Sequence, residues 1–141
     1  MTKKWRRIMV CIACTSLLLG GCGSNSNKII KLIEKNNFSE AYETYKDTAK
    51  KREDLTDLNE DINEALEKQY SVIISDYANG KIDAEAMSYL DKIVAKTGAS
   101  YSDNYRDFLN DIDEISASMS YYDLGIESYD NGEYANAVTY F

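Results

Sequence analysis

Apolar residues recur along most of this chain at spacings of three and four, which is the period of one face of an α-helix. The longest series comprises Tyr101, Tyr105, Phe108, Ile112, Ile115, Met119, Tyr122, Ile126 and Tyr129. Asn131-Gly132 follows, and glycine is the residue that most often ends a helix. A further series then begins with Tyr134, Ala137, Tyr140 and Phe141. The pattern predicts one long helix, a turn and a helix that folds back.

The segment from residue 28 to residue 45 shows the same hairpin pattern on a smaller scale. Its two apolar series are Ile29, Ile30, Leu32 and Ile33, and then Phe38, Ala41, Tyr42 and Tyr45. Asn36-Asn37 separates the two series, and Ser39 is available as the N-cap of the second helix. This segment is therefore predicted to form a short helical hairpin.

Another hairpin is predicted in the middle of the chain. Its long series comprises Leu55, Leu58, Ile62, Leu66, Tyr70, Ile73 and Tyr77, and its return series comprises Ile82, Ala86, Leu90 and Ile93. Asn79-Gly80 ends the first helix, Asp83 is placed to cap the second, and Gly98 ends it. Ser100, with Asp103 three residues later, resembles a capping box for the long final helix.

These three hairpins predict an all-α fold. The chain contains no proline, and no segment alternates apolar and polar residues over a length typical of a strand. The three turns lie at Phe38, Ile82 and Tyr134, which are 44 and 52 residues apart. We expect antiparallel helical hairpins that pack against one another.

The last hairpin resembles a tetratricopeptide repeat over residues 121–141. The match is carried by Tyr121, Leu124, Gly125, Tyr129, Gly132, Tyr134, Ala137 and Phe141. The resemblance implies that these residues pack the two helices of a repeat, and that Ala137 is small so that the helices approach closely. It also implies a short repeat-like solenoid over residues 28–141 that serves as a protein-interaction scaffold. Because a solenoid needs a polar terminal cap and the sequence ends on Tyr140-Phe141, we expect the domain to continue beyond residue 141. The alternative is that this apolar end packs tightly into the preceding hairpin.

The first 22 residues have the order of a secretion signal. Lys3, Lys4, Arg6 and Arg7 form a basic start, an apolar run follows from residue 8 to residue 19, and small residues precede Cys22. Leu19-Gly20-Gly21-Cys22 resembles the bacterial lipobox, in which cleavage before the cysteine leaves a sulfur that carries diacylglycerol. The alternative is a plain secretion signal with an incidental cysteine.

The lipobox resemblance implies a lipoprotein signal peptide at residues 1–21 and a lipidated Cys22 on a flexible tether over residues 22–27. Two acyl chains anchor a protein stably, whereas one chain is marginal. The resemblance thus places the protein on the outer, extracytoplasmic face of a cell membrane. Cys11 and Cys14 leave with the signal, so Cys22 has no cysteine left to pair with.

Charge is distributed unevenly along the chain. Residues 28–52 hold seven basic and four acidic residues, whereas the stretch after Arg106 holds eight acidic residues and no basic one. Nucleic acid is not an expected partner, because phosphate binding needs a basic surface. The basic segment lies next to the expected anchor and either favours an anionic bilayer or forms ordinary solvated helix faces.

The residue inventory argues against catalysis. The chain has no histidine, which excludes Ser-His-Asp and Cys-His sites and zinc sites of the Cys/His kind. Asp103, Asp107, Asp111 and Glu114 are predicted on an exposed helix face without an apolar pocket to raise a pKa. The run 111–114 lacks the glycine turn of a calcium loop, so a solvated acidic face is expected there rather than a metal site. No catalytic residue, cofactor or metal is predicted.

Two functions from different classes are compatible with these patterns. The first is a lipid-anchored scaffold without catalytic activity that binds a protein or peptide outside the cytoplasm. The second is a lipid-anchored helical spacer for an enzymatic or solute-binding domain beyond residue 141. Tyr121 and Leu124 fall outside the main apolar series and give the last long helix a second apolar face, which favours packing between two neighbours.

Overall fold

The computed structural model describes residues 22–141, with the side chains described from residue 25. In this part of the chain there are six α-helices and no strand, so the predicted all-α class is confirmed. The helices are α1 (Cys22–Ile33), α2 (Phe38–Ala49), α3 (Thr56–Ala78), α4 (Ala84–Thr97), α5 (Asp103–Asp130) and α6 (Tyr134–Tyr140), with a 3₁₀ turn at Ala99–Tyr101. The predicted signal peptide at residues 1–21 lies outside the described residues.

The helices pack in two layers. One layer holds α1, α3 and α5, with α3 packed between the other two. The other layer holds α2 and α4, which pack against each other, while α2 also packs along α1 and α4 packs more sparsely along α3. The short α6 packs on α5. Consecutive hairpins thus lie side by side, with the first helix of each hairpin packed against the first helix of the next.

The core lies between these layers and contains the predicted apolar faces. From α3 it takes five residues of the predicted series, which are Leu58, Ile62, Leu66, Tyr70 and Ile73. Ile29 and Ile33 of α1, Phe38 of α2, and Leu90 and Ile93 of α4 are buried with them. The first two hairpins therefore follow the apolar periodicity of their sequence.

The two outer helices of the first layer run parallel to α3. The turn after α1 places Asn36 near the C-terminal end of α3, where its side-chain amide donates a 2.8 Å hydrogen bond to Asp76. On α5, the ring of Phe108 stacks on Tyr70 at 4.6 Å, and Ser116 lies 3.0 Å from the hydroxyl of Tyr77. Residue numbers rise together in the two contacts between α3 and α5, so these helices are parallel. The C-terminal end of α1 lies beside the C-terminal end of α3, so α1 points in the same direction.

The predicted tether at residues 22–27 differs from the structure, in which these residues belong to α1. Ser26 is buried, three residues before the buried Ile29 on the same helix face. Packing of this face against neighbouring helices stabilises a helix that polar residues alone would not form. Residues 22–27 therefore belong to the helical domain.

The cap predicted for α4 is confirmed, and the cap predicted for α2 is wrong. Asp83 accepts a 2.8 Å hydrogen bond from the backbone N–H of Ala86. At α2, however, Asn37 accepts the hydrogen bond from the N–H of Glu40, while Ser39 lies inside the helix. The early start of α2 follows from the burial of Phe38, which is the first helical residue.

The cap predicted for α5 is also wrong, by two residues. Ser102, and not Ser100, accepts the capping hydrogen bond, at 3.1 Å from the N–H of Tyr105. Ser100 and Tyr101 lie in the preceding 3₁₀ turn, and Tyr101 is 91% exposed although it is the first residue of the predicted apolar series. Gly98 ends α4 in the left-handed conformation, and the short turn then sets where α5 can begin.

Candidate docking site

The second half of α5 extends beyond the packed body of the protein. The contact between Tyr77 and Ser116 lies one residue before the end of α3 at Ala78. Residues 117–130 therefore continue past α3 for about 21 Å at 1.5 Å per residue. Together with α6 they form what we call the overhang, residues 117–141.

The overhang is a helical hairpin of its own. Gly132, at φ +78°, closes it, and its N–H donates to the carbonyl of Tyr129 while that of Glu133 donates to Ser128. These two bonds satisfy carbonyls at the end of α5 in the manner of a Schellman motif. The returning helix is then held by three ring contacts at 5.5 to 6.4 Å, which are Tyr129–Tyr134, Tyr122–Phe141 and Tyr121–Tyr140.

Close approach of the two helices depends on small residues. A Cβ atom added to Gly125 would lie 2.7 Å from the Phe141 ring, so the ring occupies space that only glycine leaves open. Ala137 on the facing helix is 2% exposed. The two small residues for which the repeat resemblance implied a packing role thus lie in the interior of this hairpin.

The other residues of the repeat resemblance lie in the same hairpin but mostly face solvent. Leu124 and the rings of Tyr121, Tyr129, Tyr134 and Phe141 are exposed, although the four rings also contact other rings of the hairpin. The predicted apolar series of α5 divides in the same way: Tyr105, Phe108 and Ile112 are buried, whereas Met119, Tyr122, Ile126 and Tyr129 are exposed. The last predicted site residue, Cys22, belongs to α1, and its side chain is not among those that the structure describes.

Exposed apolar side chains concentrate in the overhang. In the described part of the chain, nine of the eleven exposed large apolar residues belong to it, and only Val72 and Tyr101 lie elsewhere. The nine are Met119, Tyr121, Tyr122, Leu124, Ile126, Tyr129, Tyr134, Val138 and Phe141. Exposed apolar side chains that are concentrated in one region, rather than scattered singly, are typical of an interaction site.

Negative charge accompanies this apolar surface. The overhang carries the four acidic residues Asp123, Glu127, Asp130 and Glu133, and no basic residue. All four are exposed. A surface that combines aromatic rings with carboxylates favours a partner that combines apolar and basic side chains.

Sequence reasoning missed a second feature, a cleft of about 530 Å³ between α3 and α5. Asp107 and Asp111, predicted on a solvated face, line it together with Glu64 and Glu67 of α3. Tyr70 and Phe108 also border it, but they are only 7% and 2% exposed, so the carboxylates lie over apolar side chains that are already covered. The sequence shows the carboxylates on each helix, but only the parallel packing of α3 and α5 brings the two sets together.

The comparisons with known proteins give no relative for this arrangement. No protein-family model, no curated protein and no solved structure matches the chain. In residues 22–141, no helix is long and apolar enough to cross a bilayer. The same residues contain no cluster of three or more acidic, cysteine or histidine side chains that could hold a metal ion.

Overfilling the contact at Ala137 is expected to destabilise the overhang. Ala137→Leu adds three carbons to a closely packed interface, at a cost of about 1 to 3 kcal/mol in the free energy of unfolding. Ala135→Leu is the matched control, because Ala135 is exposed on the same helix. Hydrogen exchange of residues 117–141 measures the difference. Equal protection in both variants would mean that the register of this hairpin is wrong.

Proposed function

We propose that this protein is a membrane-anchored extracytoplasmic lipoprotein that acts as a scaffold without catalytic activity and binds another protein through the overhang. The observation that carries the proposal is the concentration of exposed apolar residues on residues 117–141. The body of the protein buries its own apolar faces, so the exposed apolar surface of residues 22–141 is concentrated on the overhang, where a partner could bind. The resemblance to a tetratricopeptide repeat lies in these same residues and supports a binding role.

The proposed anchor is Cys22, on the sequence Leu19-Gly20-Gly21-Cys22. Because Cys22 belongs to α1, cleavage before it would attach the lipid directly to this helix and would hold the helical domain close to the membrane surface. Two acyl chains on this residue would make the attachment stable.

Replacing Cys22 by serine is expected to abolish lipidation and to move the protein from the membrane fraction to the soluble fraction or leave its signal uncleaved. Serine keeps the size of the side chain but lacks the sulfur that carries the lipid. Intact-mass spectrometry of membrane-extracted protein measures the modification. An unmodified Cys22 in the extracted wild-type protein would contradict the anchor.

The direction of the helices places the proposed anchor and the overhang at opposite ends of the first layer. Because α1, α3 and α5 are parallel, Cys22 lies toward the N-terminal end of this layer and the overhang projects from its C-terminal end. An anchored protein would thus present its exposed apolar surface away from the bilayer. This placement suits a partner that approaches from the extracytoplasmic side.

The partner that fits best is a helix whose apolar face is flanked by lysine or arginine. An apolar helix face can cover the exposed rings, as in other helix-in-groove interfaces. The four carboxylates of the overhang would attract the flanking basic residues and would raise the rate of association. Binding should therefore weaken as salt concentration rises.

The double variant Leu124→Glu/Val138→Glu is expected to lose the partner. Both side chains are exposed, Val138 at 78%, so the fold should persist while two buried charges would oppose the interface. The experiment is affinity purification from membranes of the source cells followed by quantitative mass spectrometry. Wild-type protein should recover the partner at least about tenfold better than the variant.

The control is Val72→Glu, which places a charge on an exposed apolar residue of α3 outside the overhang. It should recover the partner as well as the wild type does. Recovery of the same proteins by all three forms would contradict docking at the overhang. Sedimentation measurements on the purified full chain distinguish a second copy from a different protein, because only self-association would shift the wild type to a dimer.

A further inference from the structure

The apolar series of α5 is a heptad seam that α3 covers over only part of its length. From residue 105 to residue 129 the spacing alternates strictly between three and four, which is the repeat that keeps one helix facing another. In the part of α5 beside α3, Ile112 is 8% exposed. Met119 and Ile126 occupy the same heptad position one and two repeats later and are 43% and 40% exposed. We call the part of this series in the overhang the exposed seam; its residues are Met119, Tyr122, Ile126 and Tyr129.

Two carboxylates lie beside the exposed seam. Ser116, which is 3.0 Å from the hydroxyl of Tyr77, marks the side of α5 that meets the last turn of α3. Asp123 and Asp130 follow Ser116 by seven and fourteen residues, and a step of seven returns a helix to nearly the same side. Both are exposed, and the overhang has no basic residue to pair with them. The seam is therefore bordered by two carboxylates about 10 Å apart along the helix axis.

The returning helix α6 adds apolar residues on the same side of the overhang. Its Tyr134 and Phe141 rings contact the rings of Tyr129 and Tyr122, which belong to the exposed seam. Val138 follows Tyr134 by four residues, so it lies on that side of α6, and it is 78% exposed. The exposed seam and this side of α6 together hold seven of the nine exposed large apolar residues of the overhang.

The packing and the charge of this face indicate what can cover it. Because the exposed seam continues the face of α5 that packs on α3, another helix is the element that fits it. Two copies of this chain packed seam to seam would bring four carboxylates together, and like charges across an interface oppose association. A helix that carries lysine or arginine beside an apolar heptad series would instead place a positive charge near each carboxylate.

We propose that the exposed seam binds a basic amphipathic helix of a different protein, which packs beyond the end of α3 and extends the packing of α3 on α5. Its apolar residues cover Met119, Tyr122 and Ile126, and two basic residues seven positions apart pair with Asp123 and Asp130. This inference rests on the proposed function, which assigns docking to the overhang. It adds which side of the overhang is used and which spacing of charges the partner needs.

The test is a titration of the full chain, held in nanodiscs of neutral phospholipid, with a fluorescent helical peptide at low salt. The peptide is designed with about three heptads, leucine at the two seam positions and lysine at one flanking position of each heptad. Ile126→Ser is expected to raise Kd at least about fivefold, because it removes an apolar contact at the centre of the seam. The matched control is Leu124→Ser, since Leu124 is exposed to the same extent, at 42% against 40%, but lies outside the seam. Its Kd should stay within about twofold of wild type.

The carboxylates are tested with a second pair of variants. Asp123→Asn/Asp130→Asn is expected to raise Kd about five- to tenfold at low salt and to reduce its dependence on salt. Asp113→Asn/Glu114→Gln changes the net charge equally through exposed residues of α5 that precede the overhang, and should stay within about twofold of wild type. A peptide with glutamate in place of each lysine should bind at least about tenfold more weakly.

Three results would overturn the proposal: equal weakening by Ile126→Ser and Leu124→Ser, equal affinity of the lysine and glutamate peptides, or no peptide binding below about 1 mM. A dimer of the wild-type chain in sedimentation that Ile126→Ser dissolves would also overturn it, because a second copy would then cover the seam. The proposed function fails separately. If Leu124→Glu/Val138→Glu loses the cellular partner while Ile126→Ser leaves the peptide Kd unchanged, docking at the overhang stands and only its assignment to the exposed seam is wrong.

Discussion

Replacing Leu66 by alanine is expected to lower the free energy of unfolding by about 2 to 5 kcal/mol. Leu66 is fully buried on α3, the helix that lies between α1 and α5 in the first layer. Truncation there removes apolar contacts and leaves a cavity that neighbouring helices can fill only in part. The loss is a large fraction of the total free energy of unfolding, which is about 5 to 15 kcal/mol for a native domain.

Urea unfolding of the full chain in detergent, followed by the helical circular dichroism signal, measures this loss. Val72→Ala is the control on the same helix, because Val72 is 45% exposed and its truncation opens no cavity. The control should change the free energy of unfolding by less than about 0.5 kcal/mol. Equal losses in the two variants would contradict the burial of the predicted face of α3.

Alkaline pH is expected to destabilise the protein through two buried tyrosines. Burial raises the pKa of Tyr70 to about 12, and burial together with the hydrogen bond from the Tyr105 hydroxyl to Asp91 also raises the pKa of Tyr105. In the unfolded chain both groups ionise near pH 10. Above that pH the folded state holds more protons than the unfolded state, so the free energy of unfolding falls as pH rises.

The stability contributed by these protonated hydroxyls is fully present below pH 10 and is lost as pH rises toward 12 and above. Urea midpoints at pH 8 and pH 11 measure the loss, which should be on the order of 1 kcal/mol per tyrosine. The double variant Tyr70→Phe/Tyr105→Phe should start less stable at pH 8, because the bond to Asp91 is gone, but should lose less between the two pH values.

A matched control removes two hydroxyls that are in contact with water. Tyr121→Phe/Tyr134→Phe changes exposed residues of the overhang and should show the same alkaline loss as the wild type. If the two double variants lost equal stability between pH 8 and pH 11, the alkaline sensitivity would not arise from Tyr70 and Tyr105.

Local sequence patterns predicted the helix ends correctly where a residue interacts with the backbone within a few positions of itself or sets its own backbone conformation. Asp83 caps α4 because a carboxylate at that position reaches the N–H of Ala86, and Gly132 closes the last hairpin because glycine adopts positive φ without strain. The neighbouring predictions at Ser39 and Ser100 failed by two residues each. In both places another polar residue could cap equally well, and packing of Phe38 and the turn after Gly98 selected between them.

The sequence by itself determined the helical class, the three hairpins and the faces of α1 to α4 that are buried, because helical periodicity fixes which side of a helix is apolar. The sequence did not determine along which part of its length the apolar side of a helix packs against another helix. The series of α5 is continuous, yet Phe108 is buried and Tyr122 is exposed, because α3 ends beside Ser116. The cleft between α3 and α5 has the same origin, since carboxylates far apart in the chain meet only when two helices pack in parallel. Only the tertiary structure determined the exposed overhang and the cleft, because each depends on how far a neighbouring helix extends and in which direction it runs.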